Sequence, residues 1–213
     1  MLQILGVAIV TITIAVFGYS FYKKSQVSPM ALEDQIQTLS GLGLNLNEGV
    51  TVNDLLDSFD REEYESRPFD MVLFMYGSEV ESEPWGRNIC DRVWNFDVEA
   101  IYGDGSYISI VKRFSLVAGM EGNISDVKDS VNIDSGEAWV SYKLNGEQRK
   151  YDIKIDNDWA DPNAVALIMN DFKKTGMSFY SKDNGQASVW FYLDDVTAKK
   201  LNELSRNELK PTK

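Results

Sequence analysis

Apolar positions fall into two kinds of run along this chain. The first is one uninterrupted block, Leu2 to Tyr22 (LQILGVAIVTITIAVFGYSFY), without a charged side chain. A bilayer core about 30 Å thick takes roughly 20 apolar residues in a helix. Inside lipid such a block must be helical, because each backbone N–H and C=O needs an internal partner. The block predicts one N-terminal transmembrane helix over residues 1–22, with Tyr19, Phe21 and Tyr22 as an interfacial aromatic belt. A cleaved signal peptide fits less well. No basic side chain precedes the block, Gly18-Tyr19-Ser20 is a poor cleavage site, and Lys23-Lys24 follows at once. Those two lysines orient the domain toward the cytoplasm. Glu33 and Asp34 weaken that signal, which leaves a periplasmic domain as the alternative.

After a polar linker at residues 23–28 the runs shorten and become periodic. Ser28-Pro29 reads as an N-cap and first helical position, with Met30, Ile36 and Leu39 as the stripe of a helix ending near Gly41 or Gly43. A second helix is predicted over Asn53 to Glu65, burying Leu55, Leu56, Phe59 and Tyr64, and stopped by Pro68. Together these make a helical segment, residues 29–66, ahead of an α+β domain at 67–213. Met71 to Tyr76 (MVLFMY) is a compact apolar run whose length predicts a buried strand. Arg92 to Tyr102 alternates in part, which predicts a strand in a sheet with one covered face.

Gly103-Asp104-Gly105-Ser106 is a turn into a helix through about Ala118, where Tyr107, Ile110, Val111, Phe114 and Val117 share a face and Gly119 ends it. Ser125 to Asp129 reads as a turn. Glu137 to Leu144 and Gln148 to Asp156 alternate around Asn145-Gly146, a pair that tolerates positive φ in tight hairpins. Asp161-Pro162 begins a helix to about Lys174. A last hairpin joins Met177–Ser181 to Ala187–Leu193 through Asp183-Asn184-Gly185, and a final helix starts near Asp195. Hairpins imply antiparallel pairing, so the fold class is α+β: an antiparallel sheet of hairpins covered by helices, preceded by one transmembrane helix.

Composition narrows the chemistry. Of 213 residues, 44% are apolar and 25% charged, the balance of a globular chain. Asp and Glu number 33 against 21 Lys and Arg, none of them before Lys23, so the part after the anchor carries the whole net charge of −12. That charge repels phosphate backbones, which excludes nucleic acid as a partner, and draws basic proteins by long-range steering. Histidine is absent, which removes Ser-His-Asp and Cys-His catalysis and every His-ligated metal site. Cys90 has no partner for a disulfide. Arg87 and Arg92 could lower its thiol pKa if they are near in space, whereas a buried structural cysteine is the plainer reading.

Four constellations were weighed. Asp156, Asp158 and Asp161 suggest calcium, but counting from Asp156 an EF-hand loop would need Gly at Asp161 and Glu at Leu167, so turn and cap roles account for them better. Gly103-x-Gly105 lacks the lysine of a phosphate loop and is a turn. Asp97 and Glu99 would point the same way on a strand, the arrangement of paired acid and base carboxylates, although exposed strand carboxylates are common. Glu79, Glu81 and Glu83 alternate up to Pro84-Trp85-Gly86. On an extended chain they form one negative patch with Trp85 as an anchor for a basic partner; the plainer alternative is a solvated loop with Trp85 folded inward.

The stretch Val93 to Ala118, with Trp94, Phe96-Asp97, Glu99 and Gly103-Asp104-Gly105-Ser106-Tyr107, resembles a set of uncharacterised bacterial proteins. The similarity continues through Gly136-Glu137-Ala138-Trp139 and Asp158-Trp159-Ala160-Asp161-Pro162. It implies a bacterial α+β domain and transfers no activity. The sequence therefore predicts a membrane-tethered, non-enzymatic protein-binding module without cofactor or metal. Its lipid contact is through residues 2–22, and its binding residues are Glu79, Glu81, Glu83 and Trp85. An immunity-type inhibitor of a basic toxin is the concrete version; a carboxylate-dependent hydrolase and an envelope-assembly scaffold are the alternatives.

Overall fold

A computed structural model describes residues 28–206 and 208–212. The predicted anchor at residues 2–22 and the lysines that orient it lie outside these residues. Among the described residues, no helix is long and apolar enough to cross a membrane.

The chain is α+β with two antiparallel sheets. Four short helices come first: α1 (Leu32–Ser40), α2 (Val52–Leu56), α3 (Arg61–Ser66) and α4 (Met71–Tyr76). Strand β1 (Val93–Asp97) and helix α5 (Ser106–Val117) follow, then a 3-10 turn at Glu121–Asn123. The strands β2 (Ile124–Asn132), β3 (Glu137–Leu144) and β4 (Glu147–Ile153) form one sheet in that order. Helix α6 (Pro162–Asp171), β5 (Met177–Asn184), β6 (Ala187–Asp194), α7 (Asp195–Leu204) and β7 (Leu209–Pro211) complete the chain. The second sheet has the order β1-β6-β5-β7.

That four-stranded sheet is covered on both faces, not one. Strand alternation sends Val93, Tyr180, Val189, Phe191 and Leu193 to a core shared with α1–α4 and α7. Trp94, Phe96, Phe179, Trp190 and Tyr192 point the other way, into a core shared with α5, α6 and the three-stranded sheet. Helix α5 lies against β1 and β6 on one side and β2 on the other. An edge strand with both faces covered reads as broken alternation, which is why Val93 is as deeply buried as Phe96.

The two local hairpins form as their turns dictate. Asn145 (φ 52°) and Gly146 (φ 83°) both occupy the left-handed region between β3 and β4. In the β5–β6 hairpin the pairing runs to Asn184 and Ala187, so the turn residues are Gly185 and Gln186, slightly later than the sequence indicated. Asp161 caps α6 by accepting from the Asn163 amide at 2.9 Å, with Pro162 at the first helical position.

Four expectations are corrected. Met71–Tyr76 is a helix and not a strand; a six-residue apolar run has no decisive period, and Val72, Leu73, Met75 and Tyr76 are all buried. The single helix predicted over Asn53–Glu65 is two, α2 and α3, separated at Asp57–Asp60. Ser125–Asp129 is not a turn but part of β2, disguised by a register shift between Ser125 and Lys128 and by Asp126 at φ 52°. The first helix is capped at Ala31, not Ser28.

Candidate functional site

Gly77 starts the candidate site. Its backbone lies so close to β1 that an added Cβ would sit 2.5 Å from the Asn95 nitrogen, and its carbonyl accepts from that amide at 2.8 Å. From this contact the chain leaves as a narrow two-armed ribbon. The Val80 amide donates to the Arg87 carbonyl (2.8 Å), the Ile89 amide donates to the Ser78 carbonyl (3.0 Å), and Glu79 bridges Asn88. Val80 and Ile89 turn inward and are buried. Glu79, Glu81 and Glu83 are exposed, and Trp85, on the tip, is 68% exposed.

The ribbon is braced from outside itself. Arg87 donates through Nε to the Pro84 carbonyl (2.9 Å) and through its terminal nitrogens to Asp54 (3.1 Å) and the Gly49 carbonyl (3.3 Å). The Asn47 side chain donates to the Asn88 carbonyl at 2.9 Å and accepts from the Asp91 amide at 3.1 Å. Trp85 is therefore displayed by a tied scaffold and does not fold into the core. The negative field extends past the ribbon. Burial, then the charges of Glu63 and Glu81, push the Tyr64 phenol above its ordinary value.

At the foot of the ribbon lies a cleft of about 510 Å³, where Glu79, Asn95, Lys112 and Arg113 meet the apolar Trp94 and Leu116. Arg113 donates to the Val93 carbonyl (3.0 Å) and lies 3.7 Å from Asp91. Burial draws its guanidinium below the ordinary pKa, opposed by Asp91 and Glu79. A second hollow, of about 360 Å³, separates α6 from the sheet and is mainly apolar. Its walls include Phe96, Val98, Val165, Met169 and Trp190.

The other sequence candidates are engaged in the fold. Strand β1 ends at Asp97, whose carboxylate accepts from the Glu99 amide at 2.9 Å, so the two residues lie in a turn and not side by side on a strand. Glu99 accepts from the Gln186 amide group. Cys90 is buried, which pushes its thiol up to about 11, opposite to the activation that neighbouring arginines would give. Asp161 is the α6 cap and also accepts from the Lys154 amide at 2.9 Å. Among the described residues, no group of three or more His, Cys, Asp or Glu could hold a metal ion. At Gly103-x-Gly105 the α5 N-terminus is already filled by the Asp129 carboxylate, which accepts from the amides of Gly105 (2.8 Å), Tyr107 (2.9 Å) and Ile108 (3.2 Å). An internal anion occupies the place a phosphate would take.

Sequence reasoning missed the apolar hollow, because its walls come from residues 96–98, 160–173, 188–190 and 212. It also missed Tyr102 and Trp159, which are 81% and 42% exposed on adjoining segments joined by the Ile101 amide and Asp158 carbonyl at 3.0 Å. The only local hint was the concentration of aspartates around Trp159. Comparison with protein-family models, curated proteins and solved structures finds no match to this chain.

Proposed function

We propose that this chain is a membrane-tethered, non-enzymatic protein-binding module whose Glu79–Trp85 ribbon captures a basic protein, as an immunity-type inhibitor captures a cationic toxin. The observation that carries this reading is the exposure of Trp85 on a ribbon held by Arg87, Asn47 and the ladder bonds. Burying an exposed tryptophan against a partner is favourable, and large aromatics are the residues that anchor interfaces. Bracing the ribbon in advance lowers the conformational entropy lost on docking. Three glutamates beside it, in a chain of net charge −12, supply the steering and select a cationic surface.

Membrane tethering by residues 2–22, with the domain on the cytoplasmic side, belongs to the same proposal. It would keep the ribbon at the bilayer surface, where a toxin that attacks or crosses the membrane first emerges.

The test is capture from the native cell with a photo-crosslinking residue in place of Trp85, and the same residue in place of exposed Val196 as control. The captured protein is then titrated against the full chain at low and high salt. A basic partner is expected, bound more weakly as salt rises. Trp85→Ala should lower affinity about thirtyfold, a loss of roughly 2 kcal/mol. Joint replacement of Glu79, Glu81 and Glu83 by Lys should abolish steering. An identified partner whose affinity ignores salt and both ribbon variants removes the reading.

A further inference from the structure

We infer that the apolar groove between α6 and the four-stranded sheet is a binding site for a small single-chain amphiphile with an anionic head, taken up as a free acid. The site is separate from the ribbon and does not depend on its partner.

The groove is a constructed gap. Hydrogen bonds tie helix α6 to the sheet side at both ends. Just before the helix, the Ala160 amide donates to the Val98 carbonyl at 2.7 Å. Just beyond it, the Lys174 amide donates to the Tyr192 hydroxyl at 2.8 Å, and that hydroxyl donates to the Phe172 carbonyl at 2.8 Å. These ties hold the helix while its Val165, Ala166 and Met169, together with Phe96 and Trp190, line the groove. Its volume of about 360 Å³ falls within the size of small-ligand sites.

The groove also has a direction. The end near Val98, Ala160 and Pro162 is mainly apolar and carries Ser188. At the other end lie Asn170, in the last turn of α6, and Lys173 and Thr212 beyond the helix. Thr212 is positioned by two contacts to the Phe179 carbonyl, from its amide at 2.9 Å and its hydroxyl at 3.1 Å. Apolar walls leading to an ammonium, an amide and a hydroxyl suit an apolar tail with a carboxylate head. A cationic head would face Lys173, and a ligand without a head would leave the polar end unmatched. Lys173 is exposed and forms no ion pair among the described residues, which leaves its charge available in a strongly acidic protein.

The test uses the full chain in lipid nanodiscs, titrated with a bromine-terminated decanoic acid. Bromine quenches tryptophan on contact, and Trp190 lines the groove. Saturable quenching that unlabelled decanoate reverses is expected. Ala166 is exposed and tolerates a larger side chain, so Ala166→Phe should fill the groove and weaken binding about tenfold or more without unfolding the chain. Lys173→Glu should weaken the acid about fivefold, the scale of an exposed charge contact. Decyltrimethylammonium should compete at least about tenfold less well than decanoate. Four results would each overturn the assignment: quenching that never saturates, no effect of Ala166→Phe, equal competition by the cationic amphiphile, or the same quenching from bromine-labelled phospholipid with no acid added.

Discussion

The two faces of the four-stranded sheet solve the same burial problem by different means. On one face, α5 and α6 are long enough to present regular apolar stripes, and aromatic side chains from separate elements close around Phe114. Its ring meets Trp94, Phe96, Phe179 and Trp190 edge-on, with centroids 4.9, 5.8, 5.5 and 6.0 Å away. On the other face, α2, α3 and α4 have five or six residues each, too short to persist alone. There a buried polar side chain organises the layer. Gln35, with no exposed surface, donates to the carbonyls of Met30 (2.9 Å) and Tyr64 (3.0 Å) and accepts from the Phe69 amide (2.9 Å). Phe69 sits at φ 63°, a conformation that a bulky residue holds only when its surroundings fix it. Regular elements can be ordered by apolar packing alone; fragments of helix need directional bonds to choose one arrangement.

The largest test of that contrast is Phe114→Ala. It removes a ring that touches four others, and a loss of roughly 3–5 kcal/mol is expected from the transferred surface and the cavity left behind. A shift in the urea midpoint of the full chain measures it. A loss near 1 kcal/mol would mean that the aromatic cluster relaxes freely and that apolar packing does not dominate this face.

Gln35→Leu should come next, at roughly 2–3 kcal/mol, although it exchanges a polar core side chain for an apolar one of similar size. The amide of Phe69 and the carbonyl of Tyr64 would lose their partner in a dry setting. Hydrogen exchange read by segment sharpens the comparison. Protection should fall across α1, α3 and α4 and persist in β3 and β4. Uniform loss throughout the chain would contradict the local role given to Gln35.

A third experiment makes one chemical change on each face. Tyr142 donates to Asp171 at 2.6 Å, where Tyr151 also donates at 2.7 Å, a knot that ties β3 and β4 to the end of α6. Tyr76, on the helical face, has a buried hydroxyl without a hydrogen-bond partner. Tyr142→Phe should lower stability by about 1–2 kcal/mol, and Tyr76→Phe should leave it unchanged or raise it by up to about 1 kcal/mol. Equal losses would erase the distinction. Burial raises the phenol pKa on both faces, that of Tyr107 to about 12. A raised folded-state pKa means that stability is fully present below the unfolded value near 10 and declines as pH rises through the folded values. Alkaline titration of the wild-type chain should show that decline, joined from about pH 8.5 by the buried Cys90 thiol, and no corresponding loss between pH 7 and roughly 8.

The same contrast explains what could be read in advance. Asn145-Gly146, Asp161-Pro162 and the Tyr107–Val117 stripe were legible because each encodes its conformation within a few residues. Met71–Tyr76 was not, since its helical state depends on burial of almost every side chain and six apolar residues carry no period. Strand β2 was concealed because it is an edge strand with a bulge and a polar surface. At the candidate site, the charge of Glu79, Glu81 and Glu83 was plain. The outward display of Trp85 was not, because it depends on Arg87 reaching Asp54 and Gly49, more than thirty residues earlier. The groove was the least legible feature, being an absence of contact between elements far apart in the chain.

The smallest expected effect concerns α7, the one helix on the irregular face with ten residues. Asp194 caps it, accepting from the amides of Val196 and Thr197, each at 2.9 Å, and from the Thr197 hydroxyl at 2.8 Å. Those bonds, led by the Thr197 amide, hold the carboxyl below its ordinary pKa. A depressed folded value contributes stability that is present above the unfolded value near 3.9 and is lost as pH falls through the folded one. Asp194→Ala should lower stability by about 1 kcal/mol or less at neutral pH, because the cap is solvent-screened. Asp194→Asn separates the two contributions: the amide oxygen can still accept, so most of the cap's neutral-pH stability should survive while the acid-dependent part disappears. If Asn behaves like Ala, the charge at the helix terminus matters more than the hydrogen bonds.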